Sequence, residues 1–127
     1  MLFRSRVYVL FHAPKISLKD AVNVLRRRGL SVEISGDRLQ ILEDDQPVFG
    51  VALVTGKEVE QTATYLGHGT EFANQLSQSD SRFEIGFDDN KRIQDNGKTL
   101  AEVRSALQEL THGVAYNTWD KALAGAK

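Results

Sequence analysis

The sequence predicts an α+β fold: a two-layer sandwich in which a mostly antiparallel sheet carries its helices on one face. Amphipathic helical stretches alternate with short strand-like runs along the 127 residues. Most of those runs are apolar on one face only, as in antiparallel sheets with a wet side. Two of them, Val7 to Phe11 and Val48 to Val54, are apolar on both alternating faces. A strand of that kind is central and must be covered twice, by helices on one side and by something else on the other.

Val7 to Phe11 is rich in β-branched and aromatic residues, and Ala13-Pro14-Lys15 ends it because proline cannot continue a ladder. Ser17 then offers an N-cap with Asp20 three residues on. Leu18, Ala21, Val22 and Leu25 recur on one helical face, and Gly29 supplies a left-handed stop. Leu30, Val32 and Ile34 alternate with Ser31, Glu33 and Ser35, Gly36-Asp37 turns the chain, and Leu39 and Ile41 continue the pattern. Asp44 to Pro47 is a polar break before the run from Val48, with Pro47 marking either a turn or a bulge in one long strand.

From Lys57 to about Ser77 the spacing of Val59, Ala63, Leu66, Ala73 and Leu76 favours helix, interrupted by Gly67-His68-Gly69. The segment is either two helices with a joint or one helix whose middle lets a neighbouring backbone approach. Phe83, Ile85 and Phe87 alternate with Arg82, Glu84 and Gly86 in a further strand. The polar stretch Asp88 to Lys98 leads to a last helix, with Thr99 and Glu102 as a capping box and Gly113 as its stop. Val114 to Tyr116 reads as a short edge strand, and Trp119 as folding back onto the core. Residues 1–120 read as a single domain, with a disordered tail over 121–127. Ferredoxin-like topology, or a variant with an extra strand, is the nearest common arrangement, and that analogy carries no function.

With 41% hydrophobic and 26% charged residues the composition is that of a soluble globular protein. Met1 to Arg6 superficially resembles a secretion signal, but the apolar run after it is too short and no cleavage site follows; nothing approaches a membrane span. The expected location is therefore cytoplasmic. The absence of cysteine removes thiolate nucleophiles, disulfides and cysteine-based metal sites, and no cofactor is indicated. Residues 1–38 hold eight Lys or Arg against three Asp or Glu, and the remainder eight against fourteen. Much of the basic excess is Arg26-Arg27-Arg28, where cations meet the exposed carbonyls of a helix end. Nucleic-acid binding there is the less favoured reading, since the acidic balance and the lack of an RNP-like strand also oppose it.

Gly67-His68-Gly69 lacks the preceding strand and third glycine of a dinucleotide fingerprint. Glu60, Thr64, His68 and Glu71 would line one side of a continuous helix, so His68 with Glu60 or Glu71 are the weak catalytic candidates; no second histidine supports a metal. Asp88-Asp89-Asn90 and Asp95-Asn96-Gly97 fail the calcium-loop register. No nucleophile elbow or P-loop is present, and His12 and His112 have structural explanations.

The outward positions Glu33, Arg38, Gln40, Arg82 and Glu84 form a mixed-charge set on what would be one sheet surface. Glu33 and Glu84 would be an acid and base pair only if the sheet brought them close. Tyr8, Leu10, Phe49, Val51 and Leu53 are the candidate association face, because apolar area opposite the helices must be covered. The cover is a second copy of the chain, a different protein, a small-molecule pocket, or the C-terminal segment with Tyr116 and Trp119. The leading expectation is a non-enzymatic protein-binding or regulatory module acting through its sheet face, with partner neutralisation of the immunity-protein kind as one form. The runner-up is a small enzyme or ligand-binding protein with a pocket near His68.

Overall fold

In the computed structural model, which describes residues 5–12, 15–87 and 90–126, seven strands form one antiparallel sheet in the order β2-β3-β4-β5-β1-β6-β7. In chain order the elements are β1 (Ser5–Phe11), α1 (Leu18–Arg27), β2 (Ser31–Ser35), β3 (Arg38–Glu43) and β4 (Gln46–Thr55). There follow α2 (Lys57–Gly67), α3 (Ala73–Ser77), β5 (Ser81–Phe87), α4 (Asn90–Thr111), β6 (Val114–Asn117) and β7 (Leu123–Ala124). The α+β class and the antiparallel sheet are therefore as the sequence predicts. The ferredoxin-like arrangement is not what joins these strands: β2 to β5 run as a meander, and β1 inserts between β5 and β6. One split crossover remains, since α4 carries the chain from β5 past β1 to β6.

Helices lie on both faces of the sheet, not on one. Val7, Val9 and Phe11 of β1, Phe49 and Val51 of β4, and Phe83, Ile85 and Phe87 of β5 pack with α1 and α4 in the larger core. On the opposite face Leu10 and Val114 pack with Val59 and Ala63 of α2 and Leu76 of α3. Strict alternation along β1 sends odd and even residues to different cores, which is why both its faces are apolar. Each such aliphatic side chain, once buried, contributes roughly 1.5–3 kcal/mol.

The ends of α1 follow the sequence. Ser17 and Asp20 form the capping box, with the Ser17 amide donating to Asp20 Oδ2 at 2.9 Å. Gly29, at φ +82, lets its amide reach the Arg26 carbonyl and the Leu30 amide reach that of Leu25, a Schellman closure. Pro47 resolves as part of a bulge: Leu42 pairs with Pro47 and Ile41 with Phe49, leaving Val48 as the extra residue.

The interrupted helix resolves as two helices with a joint, and the close approach is present as well. A Cβ on Gly67 would stand 2.9 Å from Leu76 Cβ and 3.2 Å from Ala73 Cα, so the glycine is what lets α3 fold back against the end of α2.

The last helix starts earlier than the sequence suggests. Much of the stretch expected to be polar connection belongs to α4, which is kinked where Asn96 takes φ -126 and ψ 25. Thr99 is therefore not an N-cap; its hydroxyl and the Asn96 side-chain amide both donate to the Glu43 carboxylate. The left-handed residue after the helix is His112, at φ +56, and not Gly113. Gly113 is required for another reason: a Cβ there would lie 2.6 Å from the Leu10 carbonyl oxygen.

Leu123 and Ala124, in the segment expected to be a frayed tail, pair with β6 as β7. The buried Gln108 amide ties this pairing to α4 by donating to the Gly113 and Ala124 carbonyls at 3.1 and 3.0 Å. Residues 1–4, Ala13, Pro14, Asp88, Asp89 and Lys127 lie outside the described residues. The readings made on them, the signal-like start, the proline stop and part of the calcium loop, lie there too. No helix among the described residues is long and apolar enough to cross a membrane.

Candidate functional site

The helices α2 and α3 cover only part of their sheet face. They seat over the row Val54, Arg82, Leu10 and Val114, defined by the pairings Val54 with Arg82 and Leu10 with Arg82 and Val114. The next two rows are open over β3 to β5, whereas Tyr8 and Tyr116 at their far end still pack against the Leu10 and Val114 cluster. One runs Ser35, Arg38, Ala52, Glu84, Tyr8, Tyr116, and the other Glu33, Gln40, Gly50, Gly86, Arg6. Side chains of one row share a face, so the register alone gathers two arginines, Arg38 and Arg6, and two glutamates, Glu33 and Glu84, beside a floor of Gly50, Ala52 and Gly86. The result is a trough of about 300 Å³ lined by Arg6, Arg38, Gln40, Gly50, Ala52, Glu84 and Gly86 among others.

The floor is low because small residues coincide across strands: Gly50 pairs directly with Gly86. Arg6 exploits this. Its Nη1 lies 2.9 Å from where a Cβ on Gly86 would be, so the guanidinium rests against the β5 backbone. Glu84 organises the charges, with its Oε2 accepting from Arg82 Nε and Nη2, each at 3.4 Å, and its Oε1 4.0 Å from Arg6 Nε. The side chains of Arg82 and Glu84 are only 12% and 16% exposed, so this pair is screened less than a surface one. Arg82 also sits 4.4 Å from the Tyr8 ring centroid, and Tyr8 stacks on Tyr116 at 6.2 Å. Burial, followed by the neighbouring Tyr8, Tyr65 and Asp120, holds the Tyr116 phenol above the usual tyrosine value.

Arg38, Gln40, Arg82, Glu84 and Glu33 do share one sheet surface. Glu33 and Glu84 are three strands apart, about 14 Å by strand spacing, too far to serve as a hydrolytic carboxylate pair. The candidate association residues are not brought together. Tyr8 and Leu10 point to the α2 and α3 side, with Leu10 fully buried, while Phe49 and Val51 are buried beneath α1 and α4 and Leu53 packs against that same core. The helices α2 and α3 supply the missing cover over Leu10. Trp119 meets Phe87 edge-on at 5.8 Å.

His68 ends α2 as its C-cap, so the continuous helix that would align it with Glu60 and Glu71 does not exist. It borders an open depression of about 600 Å³ with Tyr65, Leu66, Tyr116, Lys121 and Leu123, and neither Glu60 nor Glu71 lines it. The basic run is divided among structural tasks: Arg26 donates to the Val32 carbonyl at 3.0 Å, and Arg28 clamps Glu102 and Glu109 of α4. A contact the sequence did not suggest joins His12 Nδ1 to Asp80 Oδ2 at 3.2 Å and the Ser81 hydroxyl to Asp80 Oδ1 at 3.0 Å. It is not a triad, because the carboxylate stands between hydroxyl and imidazole, where base chemistry needs the imidazole in the middle. Among the described residues no cluster of three or more His, Asp or Glu side chains could hold a metal.

No protein-family model, curated protein or solved structure matches this chain.

Proposed function

We propose that this protein is a non-enzymatic binding module that engages a partner protein through the open half of its sheet face, in a regulatory or partner-neutralising role. The observation that carries this reading is the trough itself, where Arg6, Arg38, Gln40 and Glu84 stand around the side-chain-poor floor of Gly50, Ala52 and Gly86. A floor without side chains lets another backbone or a flat group approach the sheet closely, and a polar rim with a rigid centre supplies orientation. The depression beside His68 supports a pocket less well, because its polar lining of His68, two threonines, two tyrosines and one lysine includes no carboxylate to pair with the imidazole.

The test is blockade. Ala52→Trp fills the trough from its floor, and proteins from the native cell extract are captured on wild-type and variant baits of equal thermal stability. The reading expects a partner that the wild type retains and the variant loses, with β3 to β5 amides protected from exchange in the complex. Partners retained equally by both baits overturn it. Light scattering on the isolated protein separates a second copy from a different protein: a dimer that Ala52→Trp dissolves makes the partner another copy of this chain.

A further inference from the structure

We infer that the partner presents a carboxylate to this trough: the occupant is an acidic protein segment, held between Arg6 and Arg38. The inference rests on the reading of the open sheet face as a protein-binding surface and adds the chemistry of what it binds. Charge is the ground for it. Arg6 and Arg38 line the trough with Glu84 as its one carboxylate, and Arg82 lies outside the lining as the partner of Glu84. Glu84 directs its closer contacts to Arg82, whose guanidinium is also engaged by the Tyr8 ring. Arg6 stays at the 4.0 Å limit of an ion pair, and the Arg38 side chain makes no hydrogen bond or ion pair among the described residues.

Two guanidiniums beside a glycine and alanine floor, Arg38 with an unpaired side chain and Arg6 only at the edge of an ion pair with Glu84, each offer a fork of N–H donors to one planar anion. The Gly86 contact fixes Arg6 against the backbone, which lowers the entropy lost on binding. Glu84 at the site and Glu33 on the same face oppose a long polyanion, since a phosphate backbone would bring charge against both. A short acidic protein segment meets the arginines and brings less charge against those glutamates than a phosphate backbone does.

The test uses hexaglutamate as the probe, titrated at low salt into isotope-labelled full-length protein, with hexaglutamine and a twelve-residue oligothymidine in parallel. Hexaglutamate is expected to shift the Gly50 and Gly86 amides. Arg38→Ala and Arg6→Ala should each weaken it about tenfold, the loss of one charge-assisted contact. Arg27→Ala, the same change of charge on α1, should leave the affinity unchanged. Equal weakening by Arg27→Ala, equal binding of hexaglutamine, or tighter binding of the oligothymidine at the same amides each overturns the acidic assignment. A partner lost on Ala52→Trp together with no hexaglutamate binding overturns this inference and leaves the sheet-face reading standing. Hexaglutamate binding at the trough with partners indifferent to Ala52→Trp overturns that reading instead.

Discussion

The guanidinium of Arg6 lies over Gly86, with Nη1 2.9 Å from the position a Cβ would take there. The obstructing atom is the far end of a flexible side chain, so Gly86→Ala displaces Arg6 at little cost to the fold. Stability should change by less than about 1 kcal/mol, measured by urea unfolding. Partner retention should nevertheless fall. A variant that keeps full binding would show that Arg6 does not need its seat on β5.

Glu84 is the counter-charge of a largely buried arginine. Glu84→Ala leaves Arg82 with the Tyr8 ring alone and should cost about 1–3 kcal/mol. The double variant with Arg82→Ala should cost less than the two single changes added together, because the second change removes the stranded charge. Strict additivity in the unfolding free energies would contradict the coupling.

Gly67→Ala tests the joint between α2 and α3. The added methyl meets Leu76 and the Ala73 backbone, which cannot retreat as a lysine tip would, and the loss should be about 1–3 kcal/mol. Amide exchange should quicken first in α3. Gly69→Ala acts through its φ of +76 with no neighbour to strike, so its cost should be nearer 1 kcal/mol, roughly the strain of that backbone region.

Tyr116 makes stability fall at alkaline pH. Its folded-state value lies above that of an unfolded tyrosine, near 10, so below about pH 10 both states hold the proton and nothing changes. As the pH rises beyond that, the unfolded chain ionises first and is favoured, and stability declines until the folded-state phenol also titrates. Urea unfolding at about pH 9 and about pH 11 should show a smaller loss for Tyr116→Phe than for the wild type. Equal losses would place the alkaline sensitivity elsewhere.

Local signals carried most of the elements. The capping box at Ser17, the closure at Gly29 and the alternation of β5 depend on residues within a few positions, and each formed as its pattern implies. The side of the sheet that α2 and α3 occupy depends on the path from Thr55 to Lys57, a three-dimensional property that no periodicity encodes. Misplacing them left Leu10 and Val51 as uncovered surface when both are interior. The mixed charges on the outward strand positions were legible, but the trough was not. Its floor arises only when Gly50 and Gly86, 36 positions apart, meet across β4 and β5. Arg6 reached the site through pairing with the same glycine. At the last helix, the polar stretch Asp88 to Lys98 reads as a connection, whereas from Asn90 the fold absorbs it into α4, kinked at Asn96 and anchored on Glu43.

The position of β1 in the sheet sets an order of events during synthesis. Its neighbours are β5, which begins at Ser81, and β6, which begins at Val114. The β2 to β4 meander can pair as soon as it leaves the ribosome, but the first strand must wait for most of the chain before either of its edges is filled. Until then Val7, Val9, Leu10 and Phe11 are an apolar ribbon with two open edges, the kind of segment chaperones bind, and translation speed past Ser81 sets how long it stays so.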